Sequence, residues 1–335
     1  MTSHVQKTIA VVGATGNQGG SVAKTFLASP NWRVRCLTRK PSSEAAQALS
    51  TAGAEVIQAD LSSESLLSEA FQGANAIFLN TDFWATYRAR IAAATIESQT
   101  DASAPPPAVV AFDTEVLHGK NAAIAASKVP TLERFVYSSL PPMRKLSQGK
   151  YGQSYHWEAK AVIVEFIENE LPELAKRMSV IYLGAYNTNP MLSPRLDPST
   201  GAYVFALAIS KDRELPIVDA RASTGPFVKA LIETEPAGTK FLAYDSNPTI
   251  GDIVGIWSRA SGKEATFQQL TIEFMHERFG IPMELLEAMG FIEEYGYAGD
   301  MQLVEPDGLS TKVQTKPFEE WLREKDWTEV LEKGK

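Results

Sequence analysis

Three glycines at regular spacing form the clearest chemical motif of the chain, Gly13-Ala-Thr-Gly16-Asn-Gln-Gly19, between a predicted strand and a predicted helix. Glycine at the first position permits a tight turn, and at the second it lets backbone N–H groups approach a pyrophosphate. The third lets the helix pack closely on the sheet, and the helix start favours negative charge. A glycine-rich turn that binds nothing would share this spacing. The position in the first βαβ unit favours a dinucleotide site.

The end of the second predicted strand discriminates between NAD and NADP. NAD-selective sites place Asp or Glu there to hold the ribose 2′-hydroxyl. This chain reads Thr38-Arg39-Lys40 and has no acid between Arg33 and Ser43. Arg39 can form two parallel hydrogen bonds to a 2′-phosphate, which a carboxylate would repel. We therefore predict NADP(H) as the cofactor, the alternative being that Arg39 and Lys40 are a solvated strand end.

Two further strand ends place polar side chains at the same edge of the predicted sheet. Asp60 follows the third strand, and its carboxylate can accept a hydrogen bond from an adenine amino group. Asn80 and Thr81 follow the fourth strand, where small polar residues can border the adenosine ribose. Ligands of open parallel sheets bind beyond the carboxyl ends of the strands, so we predict all three as cofactor contacts. For each, the alternative is an ordinary polar loop residue.

A reductase site also needs a proton donor and a lysine near the nicotinamide ribose. Ser138 ends the fifth strand, RFVYSS, and Lys160 lies on the helix that follows. Short-chain dehydrogenases carry Tyr-x-x-x-Lys there, because this spacing puts both side chains on one helix face. The present sequence reads His156-Trp-Glu-Ala-Lys160. We predict Lys160 as a ribose-binding and catalytic residue and His156 as a proton donor, the alternative for His156 being a packing or hydrogen-bonding residue at the helix start.

The elements that must position these residues alternate between strand and helix patterns, which predicts a doubly wound parallel α/β sheet. The predicted strands are Lys7–Val12, Trp32–Thr38, Ala54–Gln58, Asn75–Asn80, Arg134–Ser138 and Met178–Leu183. The predicted helices between them are Gln18–Leu27, Ser43–Thr51, Glu64–Phe71, Thr86–Ser98, Asp113–Ser127 and Tyr155–Asn169. Two helices between the fourth and fifth strands are one more than a βαβ unit needs, so residues of about 88–108 are predicted to be an insertion.

The pattern becomes irregular after Asn187, which predicts a Rossmann domain over residues 1–186 and a smaller domain over 187–335, with some segments returning to the main sheet. Short strands are predicted at Glu214–Val218 and Lys240–Ala243. Helices are predicted at Gly225–Glu233, Ile250–Ser261, Met283–Tyr295 and Pro317–Glu332.

Composition excludes several classes of protein. The 335 residues are 44% hydrophobic and carry a net charge of −8 without a dense cationic block, so direct nucleic-acid binding is not expected. No apolar run approaches the ~18 residues of a membrane span, and the polar N-terminus is not typical of a signal peptide. A single cysteine, Cys36, and four scattered histidines predict no disulfide and no metal site. We expect a cytoplasmic protein, or a nuclear one if it is regulatory.

Several stretches together resemble the NmrA-like proteins, which are atypical short-chain dehydrogenase/reductases. The resemblance covers roughly residues 5–190, and the rest of the chain only in general layout. It is carried by TIAVVGATGNQGGSVAKTFL, VRCLTRKP, GAEVIQADLSSESLLSEAFQGANAIFLNTDFW, RFVYSSL and HWEAKAVIVEFI.

The resemblance implies a Rossmann domain with a smaller, mostly helical C-terminal domain and a cleft between them. It implies cofactor binding by the three loop glycines and Arg39, with Lys160 on the equivalent helix. The absence of the tyrosine is characteristic of the family. Other positions in the matched motifs are implied contacts of the cofactor: Thr15, Asn17 and Gln18 in the loop, and Tyr186 and Asn187 in the segment AYNTNP beside the nicotinamide site.

Three functions fit these residues. The first is an NADPH-dependent reductase acting on a small carbonyl or conjugated metabolite. The second is an NADP(H) redox sensor without turnover that regulates a protein partner such as a transcription factor. The third is an isoflavone-reductase-like enzyme in which lysine alone assists proton transfer. We favour the reductase narrowly, because a cofactor cleft of this type needs little extra to transfer hydride; the sequence leaves the substrate and the oligomeric state open.

Overall fold

A seven-stranded parallel sheet organises the protein, of which the computed structural model describes residues 6–96 and 105–332. The strands are β1 (Lys7–Val12), β2 (Trp32–Thr38), β3 (Glu55–Gln58), β4 (Ala76–Leu79), β5 (Arg134–Ser139), β6 (Met178–Leu183), β7 (Ala185–Tyr186), β8 (Arg195–Leu196), β9 (Tyr203–Leu207), β10 (Ile217–Val218), β11 (Lys240–Ala243) and β12 (Ala265–Gln269). The main sheet has the order β11-β6-β5-β4-β1-β2-β3. This order confirms the predicted doubly wound α/β fold.

Helices cover both faces of this sheet. In chain order they are α1 (Asn17–Leu27), α2 (Glu44–Thr51), α3 (Glu64–Phe71), α4 (Phe83–Ile96), α5 (Pro107–Ser127), α6 (Met143–Leu146), α7 (Tyr155–Glu170), α8 (Pro172–Ala175), α9 (Thr224–Glu233), α10 (Ile250–Ser261), α11 (Ile272–Phe279), α12 (Met283–Tyr295), α13 (Phe318–Arg323) and α14 (Trp327–Glu332). No helix in the described residues is long and apolar enough to cross a membrane.

The first strand shows why the sheet must be covered on both sides. Ile9 and Val11 pack into one apolar cluster with residues of α1 and α9. Ala10 and Val12 belong to the cluster on the other face, with residues of α3, α5 and α7. Because side chains alternate across a strand, an uninterrupted apolar run such as IAVV supplies both cores at once.

The strand order reverses at β1, whose neighbours are β2 on one side and β4 on the other. Ligands of such sheets bind at this switch point, beyond the carboxyl ends of the strands. The glycine loop follows β1, and Asn80 follows β4. A Cβ atom added to Gly13 would lie 3.9 Å from Asn80 Nδ2. The fold thus brings the loop and the end of the fourth strand together.

Element boundaries between the fourth and fifth strands differ from the prediction. Helix α4 begins at Phe83, three residues before the predicted start at Thr86, and is described as far as Ile96; α5 begins at Pro107, six residues before the predicted start at Asp113. Proline is well suited to the first turn of a helix, since its missing N–H has no partner there. The predicted insertion of about 88–108 includes residues 97–104, which lie outside the described residues.

The C-terminal part differs from the prediction in four places. The strand predicted at Glu214–Val218 is limited to the two residues of β10. The predicted helix over 317–332 is divided into α13 and α14, and α11 was not predicted. A small three-stranded sheet, β12-β9-β8, was not predicted either. One segment returns to the main sheet, where β11 pairs with β6 at the edge. The strands that were not predicted, β8, β9 and β12, are short and show no hydrophobic periodicity in the sequence, so only their pairing reveals them.

We expect Gly19→Ala to lower stability, because the added Cβ would lie 2.3 Å from the backbone oxygen of Gly13. The loop would have to shift, at a cost of about 1–3 kcal/mol in the free energy of unfolding. Gly20→Ala is the matched control, since its Cβ would lie 3.4 Å from Ala14 O and alanine favours a helix. Urea denaturation checks both. Equal midpoints for the two variants would contradict the close approach.

Candidate functional site

The glycine loop leaves the start of α1 open to an anion. Gly13 adopts a positive φ of 70°, and its carbonyl accepts a hydrogen bond from Gly16 N at 2.9 Å. Among the described residues, no side chain caps the helix start at Gly16, and its first turn contains no acid. The first N–H groups of a helix need acceptors. Since Thr15, Gly16 and Asn17 are exposed, a phosphate can reach these groups.

The structure brings Tyr186 and Asn187 to this loop from the second half of the chain. Gln18 Nε2 donates a hydrogen bond to Tyr186 Oη at 2.6 Å, and the short strands β7 and β10 hold that segment in place. Burial is the main cause that raises the pKa of the Tyr186 phenol. Gln18 Oε1 and Asn187 Nδ2 are buried and have no hydrogen-bond partner among the described residues. One acceptor and one donor are therefore available to a bound molecule.

The ends of β2 and β3 place opposite charges next to each other. Arg39 is exposed, and its guanidinium donates no hydrogen bond within the described part of the chain. Asp60 accepts a hydrogen bond from Ser62 N at 2.8 Å. The hydrogen bonds from Ser62 hold the pKa of this carboxyl below its usual value, and the charges of His118 and Arg39 act in the same direction. Arg39 is thus available to an anion, while Asp60 is partly committed to its own turn.

Lys160 belongs to a buried network that the sequence did not reveal. Its ammonium donates to Glu115 Oε1 at 2.8 Å and to the backbone and side-chain oxygens of Thr81 at 3.0 and 3.1 Å. Glu115 lies on α5 and is fully buried. The hydroxyl of Thr81 also donates to Glu115 Oε1 at 2.6 Å and lies 3.1 Å from Tyr137 Oη. All three ammonium hydrogens therefore have acceptors within the protein.

The network changes what the lysine and threonine can do. Thr81 is already hydrogen-bonded to Lys160. Binding of a ribose by either residue would therefore have to replace one of these hydrogen bonds. Glu115 Oε2 is buried without a partner among the described residues. Burial, together with the charge of Glu115, holds the pKa of Tyr137 well above its usual value. Tyr137 is therefore a neutral hydroxyl that is hydrogen-bonded to Thr81, which in turn donates to Glu115.

His156 lies in the first turn of α7 and contacts Glu284 of α12. Its Nδ1 and a carboxylate oxygen of Glu284 are hydrogen-bonded, and the same oxygen accepts from His156 N at 3.0 Å. The imidazole packs against Trp84, with ring centroids 4.8 Å apart. Because a carboxylate only accepts, Nδ1 carries the hydrogen and Nε2 is the nitrogen that can exchange a proton. Nε2 makes no hydrogen bond to a described residue.

Two carboxylates of α12 hold the segment that leads into α7. Glu284 also accepts from Tyr155 N, and Glu287 accepts from Gly152 N and Gln153 N, at 2.8, 2.7 and 2.5 Å respectively. Both carboxylates are buried, each 5% exposed. The only sequence signal that Glu284 and Glu287 hold this segment was their spacing, one helical turn apart with leucines between them. Sequence reasoning missed them.

Ser138 and the single cysteine, Cys36, are both buried in strands of the main sheet. Ser138 ends β5 next to β6 and is 2% exposed. Cys36 lies within β2 and is 1% exposed, and burial raises the pKa of its thiol to about 12. This thiol is therefore inert at neutral pH.

Arg221 is a cation at the loop that no local sequence pattern marks, since its partner is 204 residues away in the chain. Its Nε donates to Asn17 Oδ1 at 2.8 Å. The carboxylate of Asp219 accepts from Arg221 N at 2.9 Å and fixes the backbone of this turn. The side chain of Arg221 is exposed and forms no ion pair within the described residues.

These residues fit a dinucleotide. The glycine cradle admits no side chain at Gly19, the helix start is uncapped, and Arg39 and Arg221 are unpaired cations at its border. The two unpartnered buried atoms, Gln18 Oε1 and Asn187 Nδ2, add polar contacts. No cluster of metal-binding side chains is found in the described residues.

A cavity of about 480 Å³ lies elsewhere, at the amino ends of the strands. Its lining includes Lys7, which pairs with Glu133, and Trp32, which donates to Glu233. These groups satisfy one another, and none of the cofactor candidates lines this cavity. We therefore place the candidate site at the opposite, carboxyl edge.

Comparisons with known proteins agree with this architecture. A family model described as the NmrA-like family matches residues 5–330. The NmrA-like family domain-containing oxidoreductase hkm9 of Aspergillus hancockii is 27% identical over 287 residues, which is 82% of this chain and 78% of that protein. The NmrA-like family domain-containing oxidoreductase ptmS of Penicillium ochrochloron is 48% identical over 88 residues. That match spans 24% of this chain and only 26% of the relative.

Solved structures of the negative transcriptional regulator NmrA share the fold. The complex with NAD is 22% identical with a TM-score of 0.69, covering 99% of this chain and 98% of that one. The complex with NADP is 21% identical with a TM-score of 0.66, covering 97% and 99%.

We expect the Glu115–Lys160 pair to show strong energetic coupling. Glu115→Gln leaves a buried ammonium without its counter-charge, and Lys160→Met leaves a buried carboxylate, so each should cost about 3–5 kcal/mol. The double variant should lose about 2–3 kcal/mol less than the sum. Urea denaturation of the four proteins measures the cycle. Additive losses would show that the two charges do not depend on each other.

Proposed function

The chain belongs to the NmrA-like family, and from this premise we propose that it binds NADP(H) and transfers hydride from NADPH to a small carbonyl or conjugated compound. One observation carries the proposal. The open glycine loop lies at the same edge of the sheet as His156, which precedes Lys160 by one helical turn on α7. The NmrA-like relatives named above are described as oxidoreductases, which supports the same class of chemistry.

The cofactor half of the proposal rests on two arginines with separate roles. Arg39, at the end of β2, would hold the 2′-phosphate that distinguishes NADP from NAD. Arg221, bonded to Asn17 at the start of α1, would hold the pyrophosphate that both cofactors share. NmrA has been crystallised with NAD and with NADP, so the fold alone does not decide between them.

We expect Arg39→Ala to weaken NADPH about thirtyfold, or ~2 kcal/mol, and to leave NADH nearly unchanged, because only one cofactor has the 2′-phosphate. Arg221→Ala should weaken both equally, by about tenfold. Arg33→Ala, which removes an exposed cation bonded to Gln6, is the control. Calorimetry with both cofactors measures all three. Equal losses in Arg39→Ala would contradict the 2′-phosphate assignment, and a loss confined to NADPH in Arg221→Ala would contradict the pyrophosphate assignment.

The catalytic half of the proposal assigns the proton to His156. When bound, the reduced nicotinamide supplies the hydride. Glu284 holds the imidazole through Nδ1–H, so the doubly protonated imidazole would donate its Nε2 proton to the alkoxide oxygen or enolate carbon that hydride addition creates. Lys160 carries a positive charge on the same helix face, balanced by Glu115, and orients the ribose side of the site.

A second candidate function is a redox sensor that binds NADP(H) without turnover and docks a regulatory protein. The satisfied hydrogen bonds of Lys160 favour it, because they leave the lysine less free for catalysis. So do the exposed rings of Phe274 and Phe279 on α11, which are 48% and 53% exposed and available to a partner.

Single-turnover oxidation of NADPH with a panel of carbonyl and enone compounds separates the two functions. For the reductase we expect His156→Phe to lower the rate at least tenfold, since proton donation contributes ~10²–10⁴-fold, with NADPH affinity within about threefold. His156→Asn should behave alike while keeping an N–H for Glu284. Tyr155→Phe, at the adjacent position, is the control. No oxidation by the unmutated protein, together with cofactor-dependent binding of a partner, would favour the sensor.

A further inference from the structure

We propose that Trp84, Tyr87 and His156, here termed the aromatic wall, bind the substrate, and that this substrate is a flat, conjugated ring compound. This inference rests on the proposed function and deepens it by naming the substrate class. It is carried by two features of the structure: where the rings lie, and how much of them remains exposed.

Two members of the aromatic wall, Trp84 and Tyr87, lie near the start of α4, and His156 lies on α7. Phe83 is fully buried and anchors the wall, stacking on Tyr87 with ring centroids 5.4 Å apart and meeting Trp84 edge-on at 5.2 Å. Trp84 in turn packs on His156, with centroids 4.8 Å apart. The helix start is fixed by Asp82, whose carboxylate accepts from Ala85 N at 3.2 Å. The rings therefore form a rigid surface.

The position of the aromatic wall links it to the reacting groups. Trp84 follows Thr81 by three residues, and Thr81 accepts two hydrogen bonds from Lys160. On the other side, the imidazole of His156 is part of the wall and is also the assigned proton donor. A substrate lying on these rings would thus have its reducible bond beside His156.

Partial exposure distinguishes the wall from ordinary core packing. Phe83, the core member, is 1% exposed, whereas Trp84 and Tyr87 are only half-buried. An aromatic pair in offset or edge-to-face contact gains attraction beyond the burial of its area, equivalent to about two- to tenfold in affinity. A conjugated ring would gain this attraction on Trp84, and a saturated ring of the same size would not.

Two probe ketones test the ring preference by binding alone: acetophenone and its saturated counterpart cyclohexyl methyl ketone. Their dissociation constants are measured by ligand-observed NMR on the full chain, with and without saturating NADP⁺. We expect acetophenone to bind at least threefold tighter than the saturated ketone. Equal affinities, or no saturable binding of acetophenone, would overturn the proposal.

Two substitutions at one position then locate the site. Trp84→Leu should remove the preference for acetophenone, and Trp84→Phe, which keeps a ring, should retain it within about twofold. An unchanged preference in Trp84→Leu would overturn the proposal. NADPH affinity, measured separately, should be unchanged in both variants. Failure of the unmutated protein to bind NADPH would reject the proposed function instead, while a ring preference that persists without cofactor and depends on Trp84 would still support the wall.

Discussion

Two buried carboxylates of α12 accept hydrogen bonds from four backbone N–H groups, and the candidate site depends on this interaction. Glu284 and Glu287 bind the segment 152–156 and so fix where α7 begins. A carboxylate buried without donors would be very unfavourable, so these bonds leave the segment little freedom. The same contact sets the tautomer of His156. The C-terminal part of the chain thereby determines the geometry of a helix that belongs to the Rossmann part.

Charge balance explains why a lysine can lie this deep beside the switch point. The side chain of Lys160 is 12% exposed, and that of Glu115 is fully buried. Neither charge would be stable there alone, whereas the pair, completed by the hydroxyl of Thr81, satisfies most of their hydrogen-bonding capacity. Helices α5 and α7 are consequently joined by a charged contact at the edge where the cofactor would bind.

Local patterns were sufficient to predict the fold and the position of the glycine loop, and insufficient to predict the buried charged residues around the candidate site. The glycines, the apolar run of β1 and Arg39 follow from backbone geometry and strand period, which a short window of sequence contains. Glu115 and Glu284 were missed because their roles depend on partners 45 and 128 residues away in the chain. The spacing of His156 and Lys160 was visible in the sequence, but the contacts that restrain both were not.

The second half of the chain contributes residues to the border of the glycine loop. Helix α9 packs on α1 so closely that a Cβ at Gly225 would lie 2.3 Å from Ser21 O, and Gly225 N donates to Ser21 Oγ. This packing places Arg221 against Asn17. The pairing of β10 with β7 places Tyr186 and Asn187 near Gln18. A glycine loop bordered in this way cannot be assembled from residues 1–186 alone. The boundary drawn at residue 187 therefore separates two sequence patterns, and the candidate binding site is made of both.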